Sequence, residues 1–368
     1  MKKKYIILSI ITLVLLITFV TSFNYFKTTN TYVENNSNNQ TKITKGISMN
    51  LEQTAGAGDY KQVTQSSWPT EGYKFNAELS KCENGGEISW DDTKKAVIVS
   101  GNLSDKCYVY FDIYQLTLAE YIKSQYTGTQ GDNALYYHNS TLTNGAGDNS
   151  YRYAGASDSV NNYICLGSDK ATCPDANLFR IIGVFGDQTK VIRAKSVGNK
   201  QWHTSSSNTW SSSSLNTYLN GEYLTGLGTL ADKIATTTWK VGGGLMPNIA
   251  ISVPKKAYQY EVGSSSSTTT VNKKIGLMYV TDYYYSASPS AWTLVGYNES
   301  DATKDYRAAT STNWLYLGST EWTISRSSDN ANNAFYVNRT GRVSYSIVAS
   351  YFGVHPSFNL ESSVKYVS

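Results

Sequence analysis

The chain has 368 residues, room for two domains or for one large domain with attachments. Charged residues make up 16 %, against about 25 % in ordinary soluble proteins, while tyrosine alone fills 30 positions. The net charge of +4 includes Lys2, Lys3 and Lys4, so the rest is near neutral and offers no electrostatic grip for nucleic acid. A hydrophobic content of 40 % excludes global disorder. What remains is a neutral, Tyr-rich, turn-rich composition, the look of a β-rich protein outside the cytoplasm.

In chain order, Lys2–Lys4 precede an uncharged apolar run from Tyr5 to Phe26. The run is long enough for a membrane-spanning helix of about 20 residues, and the basic flank places the body of the chain outside the cell. We therefore expect a signal anchor over 1–26. A cleaved signal peptide is the rival, with only Val20-Thr21-Ser22 as a weak cleavage site; the body would then be secreted. Residues 27–66 are dominated by Asn, Thr, Gln and Gly without apolar periodicity, and read as a flexible stalk.

A small β module is expected over 67–113. YKFNAELSKC, EISWDD, KAVIVSG and DKCYVYFD are short alternating runs separated by turn residues, and Asp91-Asp92 reads as a hairpin turn rather than a calcium site. An α+β domain is expected over 114–368, mostly short antiparallel strands with two helices. The first helix begins at the Thr117 cap; the second follows a Ser212 or Ser213 cap, faces Leu215, Tyr218 and Leu219 inward, and stops at Gly221 or Gly226. LFRIIGVFG, KVIRAKS, ATTTWKVGGG, KIGLMYVTDYYYSA, NWLYL, EWTISRS, AFYVNRTGRVSYSIV and GVHPSFNL read as strands.

Four cysteines fit an oxidising compartment. Sequential pairing, Cys82 with Cys107 and Cys165 with Cys173, keeps each bridge within one local unit, whereas zinc would require CxxC-like knuckles that the sequence lacks. His138, His203 and His355 have no ligand-spaced partners, so surface or packing roles are expected and no metal ligand is assigned. Ser252-x-x-Lys255, Ser362-x-x-Lys365 and Ser328-Asp329-Asn330 mimic motifs of penicillin-recognising enzymes. K-T-G is missing, and Pro254 argues against a helix start there. No catalytic residue and no cofactor is assigned. Two carboxylates of a glycan-cleaving enzyme could still meet in space.

The positive feature is aromatic. Tyr283, Tyr284, Tyr285, Trp314 and Trp322 crowd the last third, and three consecutive tyrosines on a strand leave at least one outward. Exposed tyrosine and tryptophan suit glycan or protein contact, with Arg326 and Arg339 in nearby loops to clamp an acidic group. The plain alternative is that these rings fill the core.

The ordered motifs YRYAG, NNYICLG, LFRIIGVF, SSSLNTYLN, GLMYVTDYYYSA, EWTISR and GVHPSFNL resemble a family of uncharacterised surface proteins of low-GC Gram-positive bacteria. The stretch WPTEGYKFNAELSKCENGGEISWDD resembles a small module that precedes that domain there. The family has no established activity, so the resemblance implies an architecture alone. The late tryptophan-rich strand, the A-x-YV…G-x-V hairpin and the terminal GVHPSFNL also resemble C-type-lectin-like and formylglycine-generating-enzyme-like folds. His355 stands where those folds more often carry arginine, and their calcium motifs and copper-binding cysteine pair are missing. The expected function is cell-surface binding or adhesion with a glycan, cell-wall or host-protein ligand. A glycan-directed envelope enzyme and a structural envelope protein are the alternatives.

Overall fold

The computed structural model describes residues 46–64, 67–69, 72–101 and 105–366. The chain divides into two compact units, Met1–Leu116 and Thr117–Ser368. The expected 1–26 helix lies outside the described residues. Among the described residues, no helix is long and apolar enough to cross a membrane.

The first unit carries a four-stranded sheet in the order Tyr60–Val63, Gly46–Glu52, Lys106–Ile113, Tyr73–Cys82. Its second strand corrects the stalk reading. Gly46–Glu52 runs parallel to Lys106–Ile113 and buries Met49 and Leu51 beside Val109 and Phe111. Ile47, Met49 and Leu51 alternate with polar neighbours, a period-2 signal hidden in an Asn/Thr/Gly-rich stretch. Buried Glu52 ties the sheet end by accepting the backbone N–H groups of Gly58 and Ile113. Of the expected stalk, residues 27–45 lie outside the described residues. A separate hairpin pairs Glu87–Asp91 with Ala96–Ser100. Its turn is closed by Asp91, which accepts from the N–H groups of Thr93 and Lys94. Cys82 and Cys107 are register partners on neighbouring strands and are disulfide-bonded.

The second unit is α+β, built from short strands in several sheets with few helices. One sheet runs Ile275–Gly276, Ser357–Asn359, Gln188–Arg193, Leu178–Phe185, Tyr151–Tyr153, Leu135–Tyr137, and Tyr163–Cys165 pairs with the Leu178 end. A five-stranded sheet runs Asn199–Gln201, Tyr351–Gly353, Glu321–Arg326, Asn333–Val337, Val343–Ile347. Thr237–Lys240 pairs with Thr270–Lys273. The apolar run of Leu178–Phe185, broken only by Arg180, is explained by its central place, where both faces are covered.

The helix Leu118–Ser124 starts with a full capping box between Thr117 and Glu120, and buries Leu118, Ala119 and Ile122. Ser213 caps the helix Ser214–Tyr218, whose Leu215 and the following Leu219 are buried. Gly221 does not stop it, because the run continues through a π turn to Gly226.

Three further helices depart from the expected pair: Met246–Ile249, Pro254–Glu261 and Val280–Tyr285. Pro254 occupies the first helical position, where its missing N–H costs nothing, so the proline starts the helix it was expected to forbid. Val280–Tyr285 forms where a strand was expected. Asp282 accepts from the Tyr279 N–H at 2.8 Å, and Glu261 accepts from the N–H groups of Val280 and Thr281, both at 2.8 Å. These carboxylates satisfy the open donors of the first turn. One of them, Glu261, lies 19 and 20 positions from its donors, beyond the reach of local pattern.

Candidate functional site

The expected aromatic face does not exist. Tyr283, Tyr284 and Tyr285 are buried on a helix, and Trp314 and Trp322 are each 1 % exposed. A helix buried on all sides directs successive side chains about 100° apart, so three neighbours enter three parts of the core. Each tyrosine hydroxyl finds a carbonyl of a different segment: Gly341 at 2.8 Å, Ile249 at 2.9 Å and Asn144 at 3.3 Å. Trp322 donates to the Lys200 carbonyl and packs on Phe352; Trp314 donates to the Tyr153 carbonyl. Arg326 is half-buried and donates to the Val241 carbonyl and Asn208, while Arg339 is exposed.

Both disulfides follow the sequential pairing, Cys82–Cys107 and Cys165–Cys173. The histidines are separated in role. His203 bonds Ser205 and the Ser214 N–H, and buried His355 faces the Arg193 carbonyl and Glu321. His138, expected in a polar loop, is fully buried against Tyr285 and Trp292. Among the described residues, the close group of cysteine and acid is Cys82, Asp105 and Cys107. Its two sulfurs are already joined, and Asp105 accepts from Asn84 and Gly86.

The structure instead brings together residues that lie far apart in sequence. A cavity of about 210 Å³ opens between the strands Leu178–Phe185, Gln188–Arg193 and Thr237–Lys240 and the helices Pro254–Glu261 and Val280–Tyr285. Asp148, Arg152, Lys190 and Asp282 form its charged floor; Phe185, Trp239, Tyr258 and Tyr279 supply aromatic walls. Arg152 lies 2.5 Å from Asp148 and 3.8 Å from Asp282, and Lys190 lies 2.5 Å from Asp282. The Lys190 amine also sits over the Tyr279 ring at 4.6 Å and the Trp239 ring at 5.3 Å. Arg152 lies over Phe185 at 4.6 Å. Two cations and two anions thus balance one another in a low-dielectric setting with ring faces filling the remaining solvation.

The electrostatics follow from that packing. Burial works against the Arg152 charge, but Asp148 and Asp282 outweigh it and raise the guanidinium above its ordinary range. Burial also works against the Asp148 charge, yet Arg152 and Ser150 hold the carboxyl well below the usual carboxylate range. Desolvation pulls the Lys190 amine down, opposed by Asp282. Behind the wall, desolvation raises Glu261, whose oxygens accept from Val280, Thr281 and Ser325. Arg152 and Lys190 were not singled out from the sequence, although YRYAG places a charge between two aromatic residues and QTKVIR places one next to Val191 and Ile192. A charge on an inward position was the available signal.

A family described as a domain of unknown function (DUF6273) matches residues 186–362. That span contains Lys190, Trp239, Tyr258 and Asp282 but not Arg152 or Asp148. No curated protein and no solved structure matches the chain.

Proposed function

We propose that the second unit is a cell-surface binding module, and that its ligand enters the cavity between Trp239, Tyr258 and the Arg152–Asp282–Lys190 floor. The observation that carries this reading is the pairing of aromatic walls with a fixed set of charges in one small opening. Ligand sites combine apolar walls with a few fixed polar groups. The charges are already positioned by one another, so a polar end group of a cell-wall or glycan chain meets a preorganised partner at little ordering cost. A host-protein ligand would present a single side chain or chain end to the same opening.

The two disulfides support an extracellular setting. With the apolar run at 5–26 and its basic flank, they favour a single-pass, membrane-anchored surface protein, or a secreted one where that run is cleaved. The module is further proposed to belong with the surface proteins of low-GC Gram-positive bacteria and to be C-type-lectin-like. The terminal motif supports the latter: Tyr351–Gly353 lies inside one sheet, between Asn199–Gln201 and Glu321–Arg326, and Ser357–Asn359 enters another, across Pro356.

Binding is favoured over glycan cleavage on the state of the carboxylates. A general acid needs a raised pKa beside a second carboxylate. In the cavity Asp148 is pushed the other way by Arg152, and raised Glu261 is enclosed by donors rather than lining the opening. The test is binding of the full-length protein, disulfides intact, to purified cell wall and to a glycan array. Thr238→Trp fills the mouth of the cavity and is expected to reduce binding about tenfold or more. Saturable binding untouched by Thr238→Trp would remove the cavity from the account, and silence on both surfaces would remove glycan and cell wall as ligands.

A further inference from the structure

We propose that an open groove beside the strand Tyr163–Cys165 binds a neutral oligosaccharide, with Tyr163 as the stacking platform. The groove has a volume of about 840 Å³, four times that of the charged cavity, and within the range of known ligand pockets. It lies between the helix Leu118–Ser124, the strand Tyr163–Cys165 and the segment around Val364–Tyr366. None of the charged-floor residues reaches it. Its lining carries one charged side chain, Lys365, and is otherwise amide, hydroxyl, aromatic and aliphatic.

Tyr163 is the distinctive feature. It is 50 % exposed, more open than the other rings lining the groove: Tyr121 and Tyr366 are half-buried and Tyr153 is buried. Its ring rests on the Arg180 guanidinium at 4.4 Å, and the buried Trp314 ring lies 4.6 Å from the same guanidinium. Arg180 cannot swing away. It donates to Asn162 Oδ1 at 2.7 Å, Ser157 Oγ at 2.7 Å, the Val160 carbonyl at 3.1 Å and the Trp314 carbonyl at 3.2 Å. Tyr163 is also the register partner of Arg180 in the sheet, and Cys165, two residues on, is held by its disulfide to Cys173. An exposed tyrosine is normally free to rotate; this one is fixed before any ligand arrives, which lowers the entropy lost on contact.

The neighbouring polar groups suit hydroxyls rather than ions. Asn161 is exposed on the same strand approach, and Gln125 and Asn133 line the opposite side, the latter oriented by its bond to the Gln125 carbonyl. Side-chain amides offer both donor and acceptor, which matches a sugar hydroxyl, and a ring face matches the C–H face of a pyranose. A charged ligand would find a single cation here. This inference goes beyond the cavity reading and uses different residues, so either can fail alone.

The experiment titrates full-length protein, both disulfides intact, with cellotriose and with N,N′,N″-triacetylchitotriose by calorimetry. We expect one of them to bind, Tyr163→Ala to weaken it about tenfold or more, and Tyr163→Trp to retain it. Thr238→Trp should leave this binding unchanged. Asn161→Glu, at an exposed position, adds bulk and charge to the groove and is expected to weaken binding in parallel, so the test survives if Tyr163→Ala fails to fold. Absence of heat with both trisaccharides at millimolar concentration overturns the proposal. So does binding that Tyr163→Ala and Asn161→Glu leave intact.

Discussion

Lys190 and Asp282 meet at 2.5 Å with side chains only 6 % and 3 % exposed, and Asp282 in turn accepts the N–H that opens the helix Val280–Tyr285. One carboxylate therefore accepts from two donors, the Lys190 amine and the Tyr279 backbone, and faces the Arg152 charge at 3.8 Å. The arrangement joins the strand Gln188–Arg193 to the helix that carries the three buried tyrosines.

Removing Asp282 leaves buried Lys190 without a carboxylate beside Arg152, which keeps Asp148, and leaves the Tyr279 N–H without its acceptor. Asp282→Ala is expected to cost about 3–5 kcal/mol, the range for breaking a buried pair from one side. Lys190→Met should cost less, because Asp282 keeps Arg152 and the Tyr279 N–H. Urea unfolding of the two variants checks the order, and equal losses would contradict it.

Two groups contribute to the acid limb of stability. Burial, then the Arg152 charge, drives the His138 imidazole well below its ordinary value; its Nδ1 accepts the Ala146 N–H at 3.1 Å. A depressed histidine stays neutral in the folded chain while the unfolded chain takes up a proton, so stability falls as pH drops below about 6.5. The lowered Asp148 adds a second loss as pH falls below about 4. His138→Gln should flatten the dependence of unfolding free energy between pH 7 and 5, and Asp148→Asn should flatten the lower step. Each single titration contributes a slope of up to about 1.4 kcal/mol per pH unit.

Glycines separate into two kinds. A Cβ on Gly183, in the central strand, would run into the Tyr151 carbonyl oxygen of the paired strand, which has no freedom to retreat. Gly183→Ala is expected to destabilise by about 3 kcal/mol or to prevent folding. Gly221 is exposed, sits in the helical run and has open space around it. Gly221→Ala should stabilise by about 0.5–1 kcal/mol through the loss of unfolded-state freedom. Thermal melts of the two variants should move in opposite directions.

The two disulfides close loops of different length, with sequence separations of 25 and 8. Loop entropy makes the longer closure the stronger one, so Cys82→Ala with Cys107→Ala should cost about 3 kcal/mol or more. Cys107 is also buried, which adds a packing loss. The pair Cys165→Ala with Cys173→Ala should cost less. Unfolding followed separately for each pair of replacements decides the order.

Much of the strand content was legible because alternation and turn residues are local. EISWDD, LFRIIGVFG, EWTISRS and AFYVNRTGRVSYSIV each became the strand or hairpin their pattern indicated. The capping box at Thr117 and Glu120 and the Ser213 cap were equally readable, since each motif spans one helical turn. Met49 and Leu51 were missed, as polar composition outweighed a short alternation.

The sequence by itself determined most strands and the first two helices, which depend on neighbours within a few residues, and favoured the cysteine pairing that forms, whose partners lie 25 and 8 positions apart. Tertiary structure alone decided that Tyr283, Tyr284 and Tyr285 form a helix, since Glu261 supplies acceptors for its open donors from another helix. It also decided which aromatic ring stays open. Trp314 and Tyr163 carry similar ring surfaces, and Arg180 lies between them with one ring buried and the other facing solvent. Burial is a property of what folds over a residue, and for these rings the covering segments come from positions more than a hundred residues away.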